Sequence, residues 1–185
     1  NRRHSGLPRS IAVNVSARQL TFPNFVETVS VVLEESRLPP ECLILEITET
    51  TILDGPEIVR QTFQKLKNLG VRLYLDDFGV GYSSLGYLRD FPVDLLKIDR
   101  SFITDVTERH DDAVITRAVI NLAHNLGIQV VAEGVETEEQ LNFLKTHRCN
   151  LAQGYLISRP IPAEDLETAL AEGILFTGQT VKSGL

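Results

Sequence analysis

The chain reads as an α/β protein built on a (β/α) barrel of parallel strands, and three observations carry that prediction. Apolar runs of five to seven residues alternate with amphipathic stretches of helical period, the pattern of βα units. The runs are rich in Val, Ile and Leu, too apolar for exposed strands. Their C-terminal ends nonetheless carry polar groups: Asn14, Glu46 and Glu49, Asp76 and Asp77, Lys97 and Asp99, and Glu133. Polar groups at the same end of successive strands converge on one mouth in a barrel. An open doubly wound sheet is the alternative that the alternating helices also allow.

Six strands are predicted, at residues 10–15, 43–48, 71–76, 94–98, 128–133 and 153–157. A helix is expected over residues 22–37, stopped by Pro39 and Pro40. The next follows DGPEIVRQTFQKLKNLG, with Asp54 as N-cap, Pro56 in the first turn and Gly70 as C-cap. DDAVITRAVINLAHNLG repeats the design from Asp111 or Asp112 to Gly127. TEEQLNFLKTH, capped by Thr137, and AEDLETALAEG close the series. The predicted boundaries are a domain at residues 1–175 and a frayed tail at residues 176–185.

A chain of 185 residues with 43% hydrophobic residues buries a core of about one domain. The formal charge of −7 excludes a broad footprint on polymeric DNA or RNA, which needs Lys and Arg stripes. An anionic ligand must then be met by metal ions or by local cations. Two cysteines, Cys42 and Cys149, make no disulfide framework and no cysteine-based metal signature, and they fit a cytoplasmic setting. No apolar stretch reaches the roughly 18–20 residues of a membrane span.

The most informative segment is LYLDDFGVGYSSL, in which an apolar strand ends in adjacent carboxylates and enters a loop with Gly79 and Gly81. Adjacent aspartates point to different sides, so one can bridge two cations while the other holds only the second. A solvated turn is the plainer reading. The Asp77-Phe78-Gly79 triplet is not a kinase signature, because no VAIK-type strand or HRD-type loop accompanies it. Alternation sends Glu46 inward, and with Asn14 and Asp76 it makes an oxygen-donor set for Mg²⁺ or Mn²⁺. Lys97, inside an apolar strand, needs carboxylate partners. Glu133 is followed by Gly134, which lets a loop pass close to a ligand. QGYLISRPIP offers an amide, a ring and prolines for a flat base, or equally a final strand with a proline stop. His4, His110, His124 and His147 share no metal-like spacing.

In VNVS, EITE, DDFGVGYSSL, LLKID, VVAEGVE and QGYLISRP, in that order from about Ile11 to Ala171, the chain resembles the EAL domain family of cyclic di-GMP phosphodiesterases. The resemblance implies a TIM-like barrel of the EAL type, two Mg²⁺ or Mn²⁺ ions and hydrolysis of cyclic di-GMP to linear pGpG in bacterial second-messenger signalling. Motif by motif it implies Asn14, Glu46 and Asp76 at the first metal, and Asp76, Asp77 and Glu133 at the second. Lys97 resembles the lysine that orients the attacking water, and Glu49 the glutamate that steadies the DDFG loop. Gln153 and Pro160 resemble part of a guanine-side pocket, with Asp99 also on the substrate side.

The Glu-Ala-Leu motif and a phosphate-contacting arginine lie upstream of VNVS in that family, so two strands and a first-metal ligand are expected before Asn1. With an open edge, the 185-residue chain is expected to self-associate, as a homodimer or otherwise, or to be marginally stable, and to be weakly active alone. Sensory or GGDEF-like domains are expected in the parent protein, which itself could be membrane-anchored. Two other functions compete: a non-catalytic EAL-like receptor or adaptor, and an unrelated metal-dependent aldolase or lyase on the same barrel.

Overall fold

The computed structural model describes residues 10–53, 56–80 and 85–172. They form two compact units, divided in the chain between Leu96 and Lys97. Six strands make one sheet whose order follows the chain, β1 to β6. The registered pairs β1–β2, β2–β3 and β5–β6 are parallel, as consecutive βα units require.

The first unit runs β1 (Ile11–Asn14), α1 (Ala17–Leu20), α2 (Phe25–Ser36), β2 (Leu43–Thr48), α3 (Glu49–Leu53), α4 (Pro56–Leu69), β3 (Arg72–Phe78), α5 (Leu85–Asp90) and the start of β4 (Leu95–Ile98). Register alone sorts its two sheet faces. Leu45 pairs with Leu73 and Ile47 with Leu75, and all four are buried. Val59, Phe63 and Leu66 of α4, at helical spacing, are buried in the same unit, and Phe63 meets Phe91 edge-on at 5.5 Å. Each such side chain contributes about 1.5–3 kcal/mol of burial. Asp94 ties the layers together: Oδ1 accepts from Lys67 at 2.6 Å and Oδ2 from the Leu73 amide at 2.8 Å.

From Lys97 the second unit completes β4 and adds α6 (Arg100–Thr104), α7 (His110–Asn125), β5 (Gln129–Ala132), α8 (Glu138–Thr146), β6 (Leu151–Ala152) and α9 (Ala163–Glu172). Burial pushes the Cys149 thiol up to about 11, so it packs as a neutral group, its Sγ 3.3 Å from the Leu151 carbonyl. No helix among the described residues is long and apolar enough to cross a membrane.

Three helices enter their strands through the same closing turn. After α4, Gly70 (φ +94°) donates to Lys67 and Val71 to Leu66. After α7, Gly127 (φ +73°) donates to His124 and Ile128 to Ala123; after α8, Arg148 (φ +60°) donates to Lys145 and Cys149 to Leu144. This paired bonding satisfies the last carbonyls and seats an apolar residue on the helix end. The strand then begins one or two residues on, at Arg72, Gln129 and Leu151.

That turn corrects one prediction. Residues 153–157 are not a strand; β6 is Leu151–Ala152, and the chain turns at once. Ile157 and Ser158 both donate to the Gly154 carbonyl, and a Cβ on Gly154 would lie 2.2 Å from the Val135 carbonyl oxygen. The helix expected from Phe22 starts at Phe25, preceded by the separate α1. Arg109, not Asp111 or Asp112, is the N-cap position of α7, while Thr137 caps α8 in a box with Gln140. Asp54, Gly81, His4 and the tail at 176–185 lie outside the described residues.

Candidate active site

In the first unit, strand register places the predicted ligands. Asn14 pairs with Glu46, Glu46 with Tyr74, and Thr48 with Asp76. Side chains opposite one another in a parallel pair share a face, and residues two apart on a strand share it as well. Asn14, Glu46 and Asp76 therefore stand on one face, with Asp76 one pleat further along. It is the face opposite Leu45, Ile47, Leu73 and Leu75, and on it Asn14 is exposed while Glu46 and Asp76 are half-buried.

Asp77 breaks the alternation. Its φ of +54° is left-handed, an uncommon state for a residue with a Cβ, and its amide donates to Asp76 Oδ1 at 3.0 Å. Two residues on, the Gly79 amide donates to Glu49 Oε2 at 3.3 Å, and Gly79 has φ +101°. Glu49 opens α3 and is 8% exposed. A buried carboxylate at a helix start thus holds the chain that leaves Asp77.

The second unit carries an ion pair between a buried ammonium and a half-buried carboxylate. Lys97 Nζ lies 2.8 Å from Glu133 Oε1, and Lys97 is 5% exposed. Lys97 is in β4, and Glu133 directly follows β5. The Glu133 amide donates to the Ile98 carbonyl at 3.1 Å, which fixes the two chains side by side. An ammonium this deep is tolerated because its carboxylate partner is in contact.

Asp99 is used locally. Its Oδ1 accepts from the Ser101 amide at 2.9 Å as the N-cap of α6. Burial pushes the Asp99 carboxyl up, but hydrogen bonds from Ser101 and from the Arg100 backbone, with the Arg100 charge, outweigh burial and hold it below the usual range. Gln153 is exposed, and its backbone bridges Ala132 and Val135 (2.8 and 3.0 Å). Pro160 is exposed after Arg159, whose guanidinium sits 4.5 Å above the Tyr155 ring. Sequence reasoning gave Arg159 no role; its position four residues after an aromatic was the available signal.

The EAL domain family model matches residues 1–160. The chain belongs to the EAL domain family. It is 46% identical over 160 residues to the cyclic di-GMP phosphodiesterase NbdA of Pseudomonas aeruginosa, covering 86% of this chain and 20% of that protein. A solved structure described as the PaMucR phosphodiesterase in complex with c-di-GMP is 44% identical and superposes with a TM-score of 0.81, covering 85% of this chain and 64% of that one. A manganese and cy-diGMP complex of Klebsiella pneumoniae BlrP1 is 34% identical, with a TM-score of 0.77 over 82% of this chain and 39% of that one. The chain spans about a fifth to a quarter of the length of the curated relatives it matches.

Proposed function

We propose that this domain hydrolyses cyclic di-GMP to linear pGpG with Mg²⁺ or Mn²⁺, in bacterial second-messenger signalling. The observation that carries the reading is the Lys97–Glu133 pair, a buried ammonium on a half-buried carboxylate, at the ends of neighbouring strands. Burial alone explains why the lysine has a partner; what supports a catalytic role is that the two residues fall in LLKID and VVAEGVE, within the part of the chain that the EAL family model matches. The complexes named above, of relatives with c-di-GMP, support the substrate.

Asn14, Glu46 and Asp76 would hold one cation, and Asp76, Asp77 and Glu133 a second. The donor set fits: all are carboxylate or amide oxygens, the ligands hard cations take, with no sulfur or imidazole among them. When bound, such a pair supplies Lewis-acid stabilisation of phosphoryl charge and a more acidic water. Lys97 donates to the attacking water and fixes its approach, while Glu133 holds the lysine and acts on that water. Glu49 keeps the Asp77–Gly79 turn in place. Gln153 and Pro160 contact the guanine side, and Asp99, as the cap of α6, supports that side through the backbone. Under the same reading the domain works in the cytoplasm beside sensory or GGDEF-like domains and self-associates as a homodimer.

Chromatography of cyclic di-GMP incubated with the purified protein tests the reading. With Mg²⁺ or Mn²⁺ the expected product is pGpG, and Ca²⁺, with its longer and looser coordination, inhibits. Undiminished turnover in excess chelator would reject the metal-dependent mechanism.

A further inference from the structure

We infer that Gln140 is a positioning residue for the Lys97–Glu133 pair, acting through the backbone on both sides of it; the inference rests on the functional reading above. Gln140 is 5% exposed, and both ends of its side-chain amide are hydrogen-bonded. Its Oε1 accepts from the amides of Glu136 (2.7 Å) and Thr137 (3.0 Å), and its Nε2 donates to the Thr104 carbonyl at 2.9 Å. The first two partners lie in the loop that leaves Glu133. The third ends α6, the helix that begins three residues after Lys97.

An ordinary N-terminal box needs only the first half of this arrangement. There, the third helical residue reaches back to the cap residue's amide and receives the cap side chain, as Gln140 does with Thr137. A carboxylate would serve that role equally well, and Glu is the commoner choice beside Gln. The bond to Thr104, 36 residues away, needs a donor that a carboxylate lacks: the Gln amide accepts from two backbone amides and also donates to a carbonyl.

Close packing repeats the tie one step nearer the site. Gly134 has φ +72°, and a Cβ there would come within 2.5 Å of Arg100 Cβ. The loop after Glu133 therefore lies directly on the first turn of α6. The Ile98 carbonyl accepts from the Glu133 amide and Arg100 lies against Gly134, while Gln140 bonds the amides of residues 136 and 137 with one end of its side chain and the Thr104 carbonyl with the other. Removing it frees the loop to shift, and the Glu133 carboxylate moves with its backbone.

Three variants test this: Gln140→Leu, Gln140→Glu, and Leu144→Ala as a control that destabilises the same helix from a buried position away from the loop. Each is measured for melting temperature, for Mn²⁺ affinity by calorimetry with the metal alone, and for kcat and KM on cyclic di-GMP. Outer residues that orient ligands typically cost about 10–100-fold in metal affinity or activity when replaced. Gln140→Leu is expected to weaken Mn²⁺ and lower kcat by about that factor, with KM within about threefold. Gln140→Glu keeps the two amide bonds and loses only the tie to Thr104, so it should show a smaller loss of the same kind. It also decides the matter if the leucine variant fails to fold. Leu144→Ala should melt earlier with Mn²⁺ affinity and kcat unchanged.

A wild-type-like Gln140→Glu, or Gln140 losses no larger than those of Leu144→Ala, would overturn the inference by reducing Gln140 to a helix cap. Wild-type protein that binds Mn²⁺ but leaves cyclic di-GMP intact would instead reject the hydrolase reading. The Mn²⁺ affinities of the variants would still decide the role of Gln140.

Discussion

The two units place their functional groups by different means. Up to Leu96, the pleat does the work: Asn14, Glu46 and Asp76 share a face because their strands are in register, and their side chains stand half-buried or exposed. Beyond Lys97, register would not suffice. A buried ammonium and a half-buried carboxylate 2.8 Å apart are held by the backbone bond from Glu133 to Ile98, by the Gly134 approach to Arg100, and by Gln140. A hard cation such as Mg²⁺ keeps several waters, which fill the coordination positions that the protein leaves open. A group that orients one water molecule has no such reserve, because misplacement by about 1 Å can cost 10²-fold. The more heavily braced unit is the one to which the reading assigns proton and water chemistry.

The largest expected effect breaks that braced unit. Lys97→Met keeps the stem and removes the charge, so turnover should fall by about 10²–10⁴-fold, the range for a group acting on a transferred proton. Steady-state assays on cyclic di-GMP check it. Turnover within a few fold of wild type would make Lys97 a buried structural cation.

A smaller effect is expected where the first unit uses a brace of its own. Glu49→Gln keeps an acceptor for the Gly79 amide but loses its charge, whereas Glu49→Ala loses the bond altogether. Kinetics should rank them, with the alanine variant down about 10–100-fold and the glutamine variant less. Equal losses would mean that the carboxylate, rather than the hold on Gly79, is what matters.

The smallest effect sharpens the comparison at Asp99. If its role is the α6 cap, Asp99→Ala should cost about 1 kcal/mol at neutral pH, seen in denaturant unfolding. The Asp99 carboxyl is held below its usual range in the folded chain, so its contribution is present above the unfolded-state value of about 3.9. The difference between wild type and variant should shrink as pH falls through and below that range. A difference that grows on acidification would contradict the assignment.

Much of this was legible in the residues. The first five strands fall where apolar runs predict them, and the positive φ values at Gly70 and Gly127 follow from glycine's freedom. The sixth strand was misplaced because its helix ends on Arg148, which adopts the same left-handed turn without being glycine and so leaves no mark in the sequence. Alternation is local, so Glu46 could be sent inward from its own strand, and Asn14 and Asp76 joined it on donor chemistry; their common face comes from the register of three strands. That Lys97 would need a carboxylate follows from the demand of a buried charge for a partner, but which carboxylate does not; Glu133 emerges only from the fold. Gln140 could not be found that way. Its partner Thr104 is 36 residues distant, and a glutamine three places after a threonine reads only as a cap.

The most direct test of the central claim is a paired measurement on Glu133→Gln: turnover of cyclic di-GMP with Mn²⁺, and affinity for the same nucleotide. The account predicts that turnover falls by about 10²–10⁴-fold while the nucleotide dissociation constant stays within about tenfold, since Glu133 acts on the water and not on the bases. Near wild-type turnover, or a loss of binding as large as the loss of turnover, would contradict it.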